Sequence, residues 1–176
     1  EGINSVNSAI DSDRAEKIFI LVSDKIISNR LELLIEKAKS KGLIVEKIRK
    51  KEEWIFNSRH SVVAVCIPKT TYDEKTLHQI KPSNIVVLDH IQDTNNFGAI
   101  TRTASAFDFN IVCLPKKRSV NITERTFGIA AGGLENINIV FYNSIFSLIK
   151  KLKSLDYWTV GMEMDTKDDL SNVDLN

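Results

Sequence analysis

What the sequence lacks narrows its function before any motif is considered. It has two cysteines and three histidines, and neither type recurs at metal-ligand spacing, so we expect no metal site. No apolar run approaches the ~20 residues of a membrane span. The formal net charge of +1 excludes a strong overall attraction to nucleic acid. We therefore expect a soluble, cytoplasmic protein without membrane contact, in which any nucleic-acid binding depends on local basic clusters.

The 176 residues, 43% of them hydrophobic, are enough for one large unit or two small ones. Short apolar runs alternate with segments of helical periodicity. This pattern predicts an α/β protein with a first unit at 1–68, a linker at 69–83 between Pro68 and Pro82, and a second unit at 84–176. Cys66 and Cys113 lie in apolar runs and are expected to be buried free thiols.

In the second unit, alternating strands and helices favour a mainly parallel sheet with helices on both faces. A polar stretch from 165 to 176 is expected to be frayed. The predicted elements are strands Asn84–Asp89, Asn110–Leu114, Ile137–Phe141 and Tyr157–Gly161, and helices Gly98–Phe107 and Ser144–Lys153. A further short helix is expected at Glu52–Asn57 in the first unit.

One strand–turn–helix segment has the features of a ligand site. A polar turn follows the apolar strand, and ligands of open α/β sheets bind beyond the carboxyl ends of the strands. Asn95 or Asn96 can cap the next helix, and Gly98 permits close approach of another backbone or a ligand. Arg102 lies one turn further on roughly the same face and suits a phosphate. The plainer alternative is a capping Asn96 and a solvated Arg102, so spacing alone does not name the chemistry.

A longer match does name a family. The stretch Asp93–Ala104, D-T-N-N-F-G-A-I-T-R-T-A, resembles the first signature of the SpoU, or TrmH-like, RNA methyltransferases, D-P-x-N-x-G-A-I-x-R-T-A, with Thr94 in place of proline. Weaker resemblances follow the same family. They are the basic loop 115–120, the segment 130–135 (A-A-G-G-L-E for S-A-G-A-x-E, with Ala130 replacing serine) and 59–64 (R-H-S-V-V-A for H-Q-G-V-x-A).

The resemblance implies a small L30e-like N-terminal α/β domain that binds RNA, followed by a SPOUT-type parallel-sheet domain. It also implies transfer of a methyl group from S-adenosyl-L-methionine to a ribose 2′-OH in RNA, as in the bacterial 23S rRNA guanosine enzymes, and a homodimer. By this resemblance the catalytic residues are Arg102 and Asn96. The residues implied to bind RNA are Asn95, Lys116, Lys117, Arg118 and Arg59.

The match weakens towards the end of the sequence. The family's later cofactor segments, G-x-E-x-x-G and S-L-N-x-x-x-A, do not occur after Met164. The sequence therefore represents either part of a longer protein or a degenerate member, and the knotted C-terminal region is expected to be absent. Only Gly161 and Met162 remain as candidate cofactor-binding residues, so we expect this chain by itself to bind S-adenosylmethionine poorly.

Three other functions stay open. The chain could be a non-catalytic RNA-binding module that uses the basic runs 47–51, 116–118 and 150–153. Transfer RNA could replace ribosomal RNA as the substrate. An unrelated nucleotide-binding α/β enzyme is the weakest alternative, because no glycine-rich phosphate loop is present.

Overall fold

The computed structural model describes residues 1–22, 28–80 and 84–163, together with Asp169 and Asn172. The first unit contains two helices, three strands and a single 3-10 turn among its described residues. In chain order these are α1 (Ile3–Asp11), β1 (Ala15–Leu21), α2 (Asn29–Ser40), β2 (Ile44–Ile48), the 3-10 turn Lys51–Glu53 and β3 (Val62–Cys66).

The first unit is a sheet covered by helices. Its strand order is β2-β1-β3, with β1 parallel to β2 and antiparallel to β3. Alternation along β1 turns Ile18 and Ile20 towards α1 and α2, where they are fully buried with Leu34 and Ile10. Ser28 caps α2 by accepting a hydrogen bond from the amide of Leu31. The apolar side chains of α2 pack against the sheet.

The second unit is a four-stranded, wholly parallel sheet in the order β4-β7-β6-β5. The predictions of an α/β chain and a parallel-sheet domain are confirmed. The elements are β4 (Thr71–Asp73), a 3-10 helix (Glu74–Gln79), β5 (Ile85–Val87), α3 (Thr94–Ala106), β6 (Ile111–Pro115), α4 (Glu124–Ala130), a second 3-10 helix (Gly133–Asn136), β7 (Asn138–Tyr142) and α5 (Ile145–Ser154).

Helices cover both faces of this sheet, as predicted. One face packs against α3 and α4 through residues such as Phe97 and Leu114, and the other packs against α5 through residues such as Leu148 and Val140. All five residues of β6 are buried, because this strand lies inside the sheet and between two helical layers.

The prediction of a linker at 69–83 is wrong for much of that segment. Residues 71–73 form edge strand β4, which pairs in parallel with β7, and Leu77 of the following 3-10 helix is buried in the second core. The two prolines indicated a boundary, but the residues between them contribute a strand to the sheet and a buried leucine to its core. Residues 81–83 lie outside the described part of the chain, as do 165–168, 170, 171 and 173–176 of the stretch expected to be frayed.

Three predicted elements need correction. Helix α3 begins at Thr94, four residues before the expected start at Gly98. The helix expected at Glu52–Asn57 is only the 3-10 turn Lys51–Glu53. The strand expected at Tyr157–Gly161 is not formed, and Trp158 there is 94% exposed. Its residues suit a strand, but pairing with another strand is needed to form one.

Candidate active site

The carboxyl ends of the parallel strands meet at one edge of the second sheet. The hydroxyl of Tyr142, at the end of β7, donates a hydrogen bond to the carbonyl oxygen of Leu88 at 3.0 Å and lies 3.4 Å from the Asp89 carboxylate. Burial, and then the nearby Asp89 carboxylate, raise the pKa of Tyr142 to about 12. Tyr142 therefore stays a neutral hydrogen-bond donor and joins β7 to the start of the turn 88–93 between β5 and α3, called the signature turn below.

Asp93, and neither asparagine, caps helix α3. Its carboxylate accepts a hydrogen bond from the backbone amide of Asn96 at 2.8 Å, so the prediction that Asn95 or Asn96 is the cap is wrong. An aspartate is favoured at this position because it satisfies an unpaired amide and faces the positive end of the helix dipole. The cap leaves the Asn96 side chain available for another role.

The side chains of Asn95, Asn96 and Arg102 are all exposed on α3. Within the described part of the chain, none of the three has a side-chain hydrogen bond or ion pair. Two amides and one guanidinium thus face solvent from a single rigid helix. Such a set can bind an anionic, hydrogen-bonding ligand such as an RNA backbone.

Gly98 explains how α3 is held. A Cβ on this residue would lie 2.5 Å from Cγ2 and 2.8 Å from Cβ of Ile129, so helix α4 occupies the space that a side chain would fill. The close approach predicted at Gly98 is made by this helix. One turn along α3, the buried hydroxyl of Thr101 donates hydrogen bonds to the carbonyl oxygens of Phe97 and Gly98.

A second glycine supports the backbone at Arg102. A Cβ on Gly133 would lie 2.8 Å from Cα of Arg102. Gly133 follows Ala131, at φ 49°, and Gly132, at φ 100°, in the turn after α4. Arg102 therefore packs its backbone against this turn while its guanidinium faces outwards.

The predicted basic loop adjoins the signature turn. The amide of Val120 donates to the carbonyl oxygen of Ile91 at 2.9 Å, which joins the loop after β6 to the turn before α3. Lys116 pairs with Asp73 at 2.6 Å and lowers the pKa of that carboxyl group. Lys117 and Arg118 are exposed, and Lys116 and Arg118 line a cavity of about 420 Å³.

The remaining predicted site residues are not brought to this edge by any hydrogen bond or ion pair of the described residues. Arg59 is exposed in the segment before β3 and is bonded neither to α3 nor to the basic loop. Met162 is 87% exposed. A Cβ on Gly161 would have no neighbour within 4 Å. Gly161 and Met162 are thus not enclosed by other described residues, and their assignment to S-adenosylmethionine stays a prediction.

Other classes of site receive no support from the described residues. They contain no group of three or more histidine, cysteine, aspartate or glutamate side chains able to hold a metal ion. None of the helices in the described ranges is long and apolar enough to cross a membrane. Both cysteines are free; Cys113 is buried, which raises the pKa of its thiol to about 12, and Cys66 is only partly buried. A buried neutral thiol such as Cys113 is a poor nucleophile.

Comparison with known proteins decides the family. The sequence model of the SpoU rRNA Methylase family matches residues 83–176. A Staphylococcus epidermidis protein named as a TrmH family tRNA/rRNA methyltransferase is 30% identical over 179 residues, covering 98% of this chain and 72% of that protein. This chain belongs to the SpoU rRNA methylase family. A Staphylococcus saprophyticus relative of the same name is 30% identical over 88% of this chain and 65% of its own length.

Solved structures confirm the fold of this SpoU family member. An rRNA methyltransferase from Sinorhizobium meliloti superposes with a TM-score of 0.62 at 20% identity, over 88% of this chain and 57% of that one. The SpoU methyltransferase AviRb from Streptomyces viridochromogenes, solved in complex with the cofactor AdoMet, gives 0.63 at 16% identity, over 88% and 57%. The chain thus spans a little over half the length of these structures.

Two residues that matter to the site escaped sequence analysis. Asp93 precedes α3 and accepts a hydrogen bond from the amide three residues later, a pattern typical of helix-capping residues. Arg14 pairs with Glu135 of the segment 130–135 at 2.6 Å, and no local pattern could have joined residues so far apart in sequence.

Proposed function

We propose that this chain forms the RNA-facing part of an S-adenosylmethionine-dependent RNA ribose 2′-O-methyltransferase acting on ribosomal RNA. The observation that carries the proposal is the placement of Asn96 and Arg102. Both side chains are exposed on α3, whose start is fixed by Asp93 and whose backbone is packed against Ile129 and Gly133. Family membership supplies the methyl-transfer chemistry.

The role of Arg102 follows from its chemistry. A 2′-hydroxyl must lose its proton as it attacks a methyl group, and a guanidinium group is a poor proton acceptor. Its planar fork instead binds a phosphate through two parallel hydrogen bonds. Arg102 is thus assigned to anchor the phosphate next to the reacting ribose and to stabilise negative charge that develops on its oxygen.

The neighbouring residues position the RNA. The Asn96 amide has both a donor and an acceptor, and it is assigned to orient the reacting nucleotide, with Asn95 beside it. Lys117 and Arg118 are exposed at the same sheet edge and are assigned to adjacent phosphates, together with Lys116. Arg59 on the first unit is assigned to a more distant stretch of the same RNA.

The methyl donor contributes an electrophilic methyl on a sulfonium. Since the described residues do not form a pocket for it, no step at the donor is assigned to them. Ribosomal RNA as substrate, with a 23S guanosine as the acceptor, the homodimer and the cytoplasmic location are further parts of the proposal.

Methyl transfer by the protein from the complete gene tests the proposal. With tritiated S-adenosylmethionine and ribosomal RNA, Arg102→Ala is expected to lower kcat by about 10²–10³-fold, because it removes charge stabilisation at the reacting ribose. Nucleoside mass spectrometry identifies the 2′-O-methylated product. Arg125→Ala is the matched control, since Arg125 is likewise an exposed helical arginine, on α4, and is assigned no contact with the reacting nucleotide. Equal activity in both variants would contradict the role of Arg102.

A second function is favoured by one observation, the exposure of the neighbouring cations Lys117 and Arg118 in the loop after β6. A non-catalytic RNA-binding module would bind RNA through Lys117 and Arg118 without transferring methyl groups. Removing one phosphate-binding side chain reduces the slope of log affinity against log salt by about 1. Reduced slopes for Lys117→Ala and Arg118→Ala, combined with no methyl transfer by the wild-type protein, would favour this module over the enzyme.

A further inference from the structure

The two units meet at Glu135, which ends the segment that resembles the family's S-A-G-A-x-E. One carboxylate oxygen of Glu135 accepts from Arg14 at 2.6 Å, and the other accepts from the hydroxyl of Ser12 at 3.2 Å. The side chains of Arg14 and Glu135 are only 14% and 3% exposed. A buried carboxylate is costly without such partners, and the first unit supplies them to Glu135.

Arg14 uses its whole guanidinium in this contact. Its Nε and Nη2 atoms donate to the carbonyl oxygen of Ile67 at 3.0 and 2.8 Å, while Nη1 reaches Glu135. The guanidinium also lies over the ring of Phe127, 4.6 Å from its centroid. A lysine could not make these contacts together, because it presents a point charge without a planar fork.

Two further bonds hold the same interface. The ammonium of Lys69 donates to the backbone carbonyl oxygen of Glu135 at 3.0 Å, and burial lowers the pKa of Lys69. The hydroxyl of Ser5, on α1, donates to the carbonyl oxygen of Phe127 at 3.1 Å. The end of α4 and the turn after it are thus fixed to the first unit from several directions.

The turn after α4 contacts both the first unit and α3. A Cβ on Gly132 would overlap the hydroxyl oxygen of Ser8 on α1, whereas a Cβ on Gly133 would lie 2.8 Å from Cα of Arg102 on α3. Adjacent residues therefore contact the first unit and the backbone at Arg102. Gly132 and Gly133 therefore connect α1 to α3 through one peptide unit.

We propose that Arg14 and Glu135 are positioning residues for Arg102. Their ion pair holds the first unit against the turn 131–133, and the turn holds the α3 backbone so that Arg102 faces the RNA held by both units. This inference rests on the proposed function for the role of Arg102, but the mechanical coupling it describes does not. The two parts can be tested separately.

Backbone amide NMR of this 176-residue chain tests the coupling. Arg14→Ala and Glu135→Gln are expected to shift the amide signals of 101–105 in α3 as well as those of 127–135. The control Lys17→Ala removes an ion pair to Glu46 within the first sheet and should leave α3 unchanged. Shifts confined to the first unit and to 127–135 would overturn the proposal. Glu135→Gln keeps the side-chain volume, so it remains informative if Arg14→Ala does not fold.

Kinetics of the protein from the complete gene test the consequence for Arg102. Each single variant is expected to lower kcat on the order of tenfold while the KM for RNA changes less than about twofold. Arg14→Ala/Glu135→Gln should cost no more than the worse single variant, because both act through one contact. A rise in KM alone, or additive losses, would overturn the positioning role. If the wild-type protein transfers no methyl group, the proposed function fails while the NMR result still decides the coupling.

Discussion

The packing of α3 against α4 can be tested with two glycines, one in each helix of the pair. Gly98→Ala places a methyl group 2.5 Å from Cγ2 of Ile129 and 3.3 Å from the amide nitrogen of Ala130. Gly128→Ala, in α4, places one 3.6 Å from the side chain of Glu1, which is ordinary contact. Both substitutions add the same methyl group inside a helix, so their difference isolates the clash.

The expected magnitudes follow from two opposing effects. Alanine is favoured over glycine in a helix interior by about 1 kcal/mol, and this gain applies to both variants. Overpacking at Gly98 costs about 1–3 kcal/mol, because Ile129 is on a helix that must shift as a body. Gly98→Ala should therefore change the free energy of unfolding by about 0 to 2 kcal/mol in the destabilising direction. Gly128→Ala should stabilise the chain by up to about 1 kcal/mol.

Urea unfolding followed by circular dichroism measures this difference. Gly98→Ala should unfold at the lower urea concentration, because the methyl group meets Cβ of Ile129 as well as its Cγ2. If Gly98→Ala is as stable as Gly128→Ala, the glycine is not required by α4. A ligand or another surface would then have to explain it.

Two other predictions use the same assay. Asp93→Ala should cost about 1 kcal/mol as a lost cap, whereas Asn96→Ala should leave stability unchanged and lower only methyl transfer; equal losses of stability would restore Asn96 as the cap. Tyr142→Phe should be destabilising by about 1 kcal/mol near neutral pH, because the Leu88 carbonyl loses its donor. Since the pKa of Tyr142 is raised from 10.0 to about 12, its contribution is complete below pH 10.0 and is lost as the pH rises to about 12. A difference between Tyr142→Phe and wild type that does not shrink over this range would contradict the raised pKa.

Sequence patterns predicted the elements whose burial is local. The predicted strands Asn110–Leu114 and Ile137–Phe141 correspond to β6 and β7, because a strand buried on both faces is visible as an apolar run. The start of α3 was missed for a local reason as well. Asn95 and Asn96 are both good caps, but Asp93 takes the capping position first and both asparagines lie inside the helix.

Features that depend on distant partners could not be predicted. The residues 71–73 look like part of a linker until β7 provides a strand to pair with. Conversely, 157–161 has strand composition but forms no ladder in the described structure. In the candidate site, the family signature identified Asn96 and Arg102, whereas Arg14 has no signature and is recognised only when Glu135, 121 residues away, is placed beside it.

The adjacent glycines of the turn 131–133 limit how freely this family could exchange its modules. A first unit taken from a relative would have to present a side chain no larger than serine where Ser8 meets Gly132. It would also need an arginine at the position of Arg14 to satisfy Glu135. A chimera that lacks either feature would combine two folded units in the wrong relative position. Recombination within such a family is therefore expected to succeed when the residues at the positions of Ser8, Arg14, Gly132 and Glu135 are exchanged together.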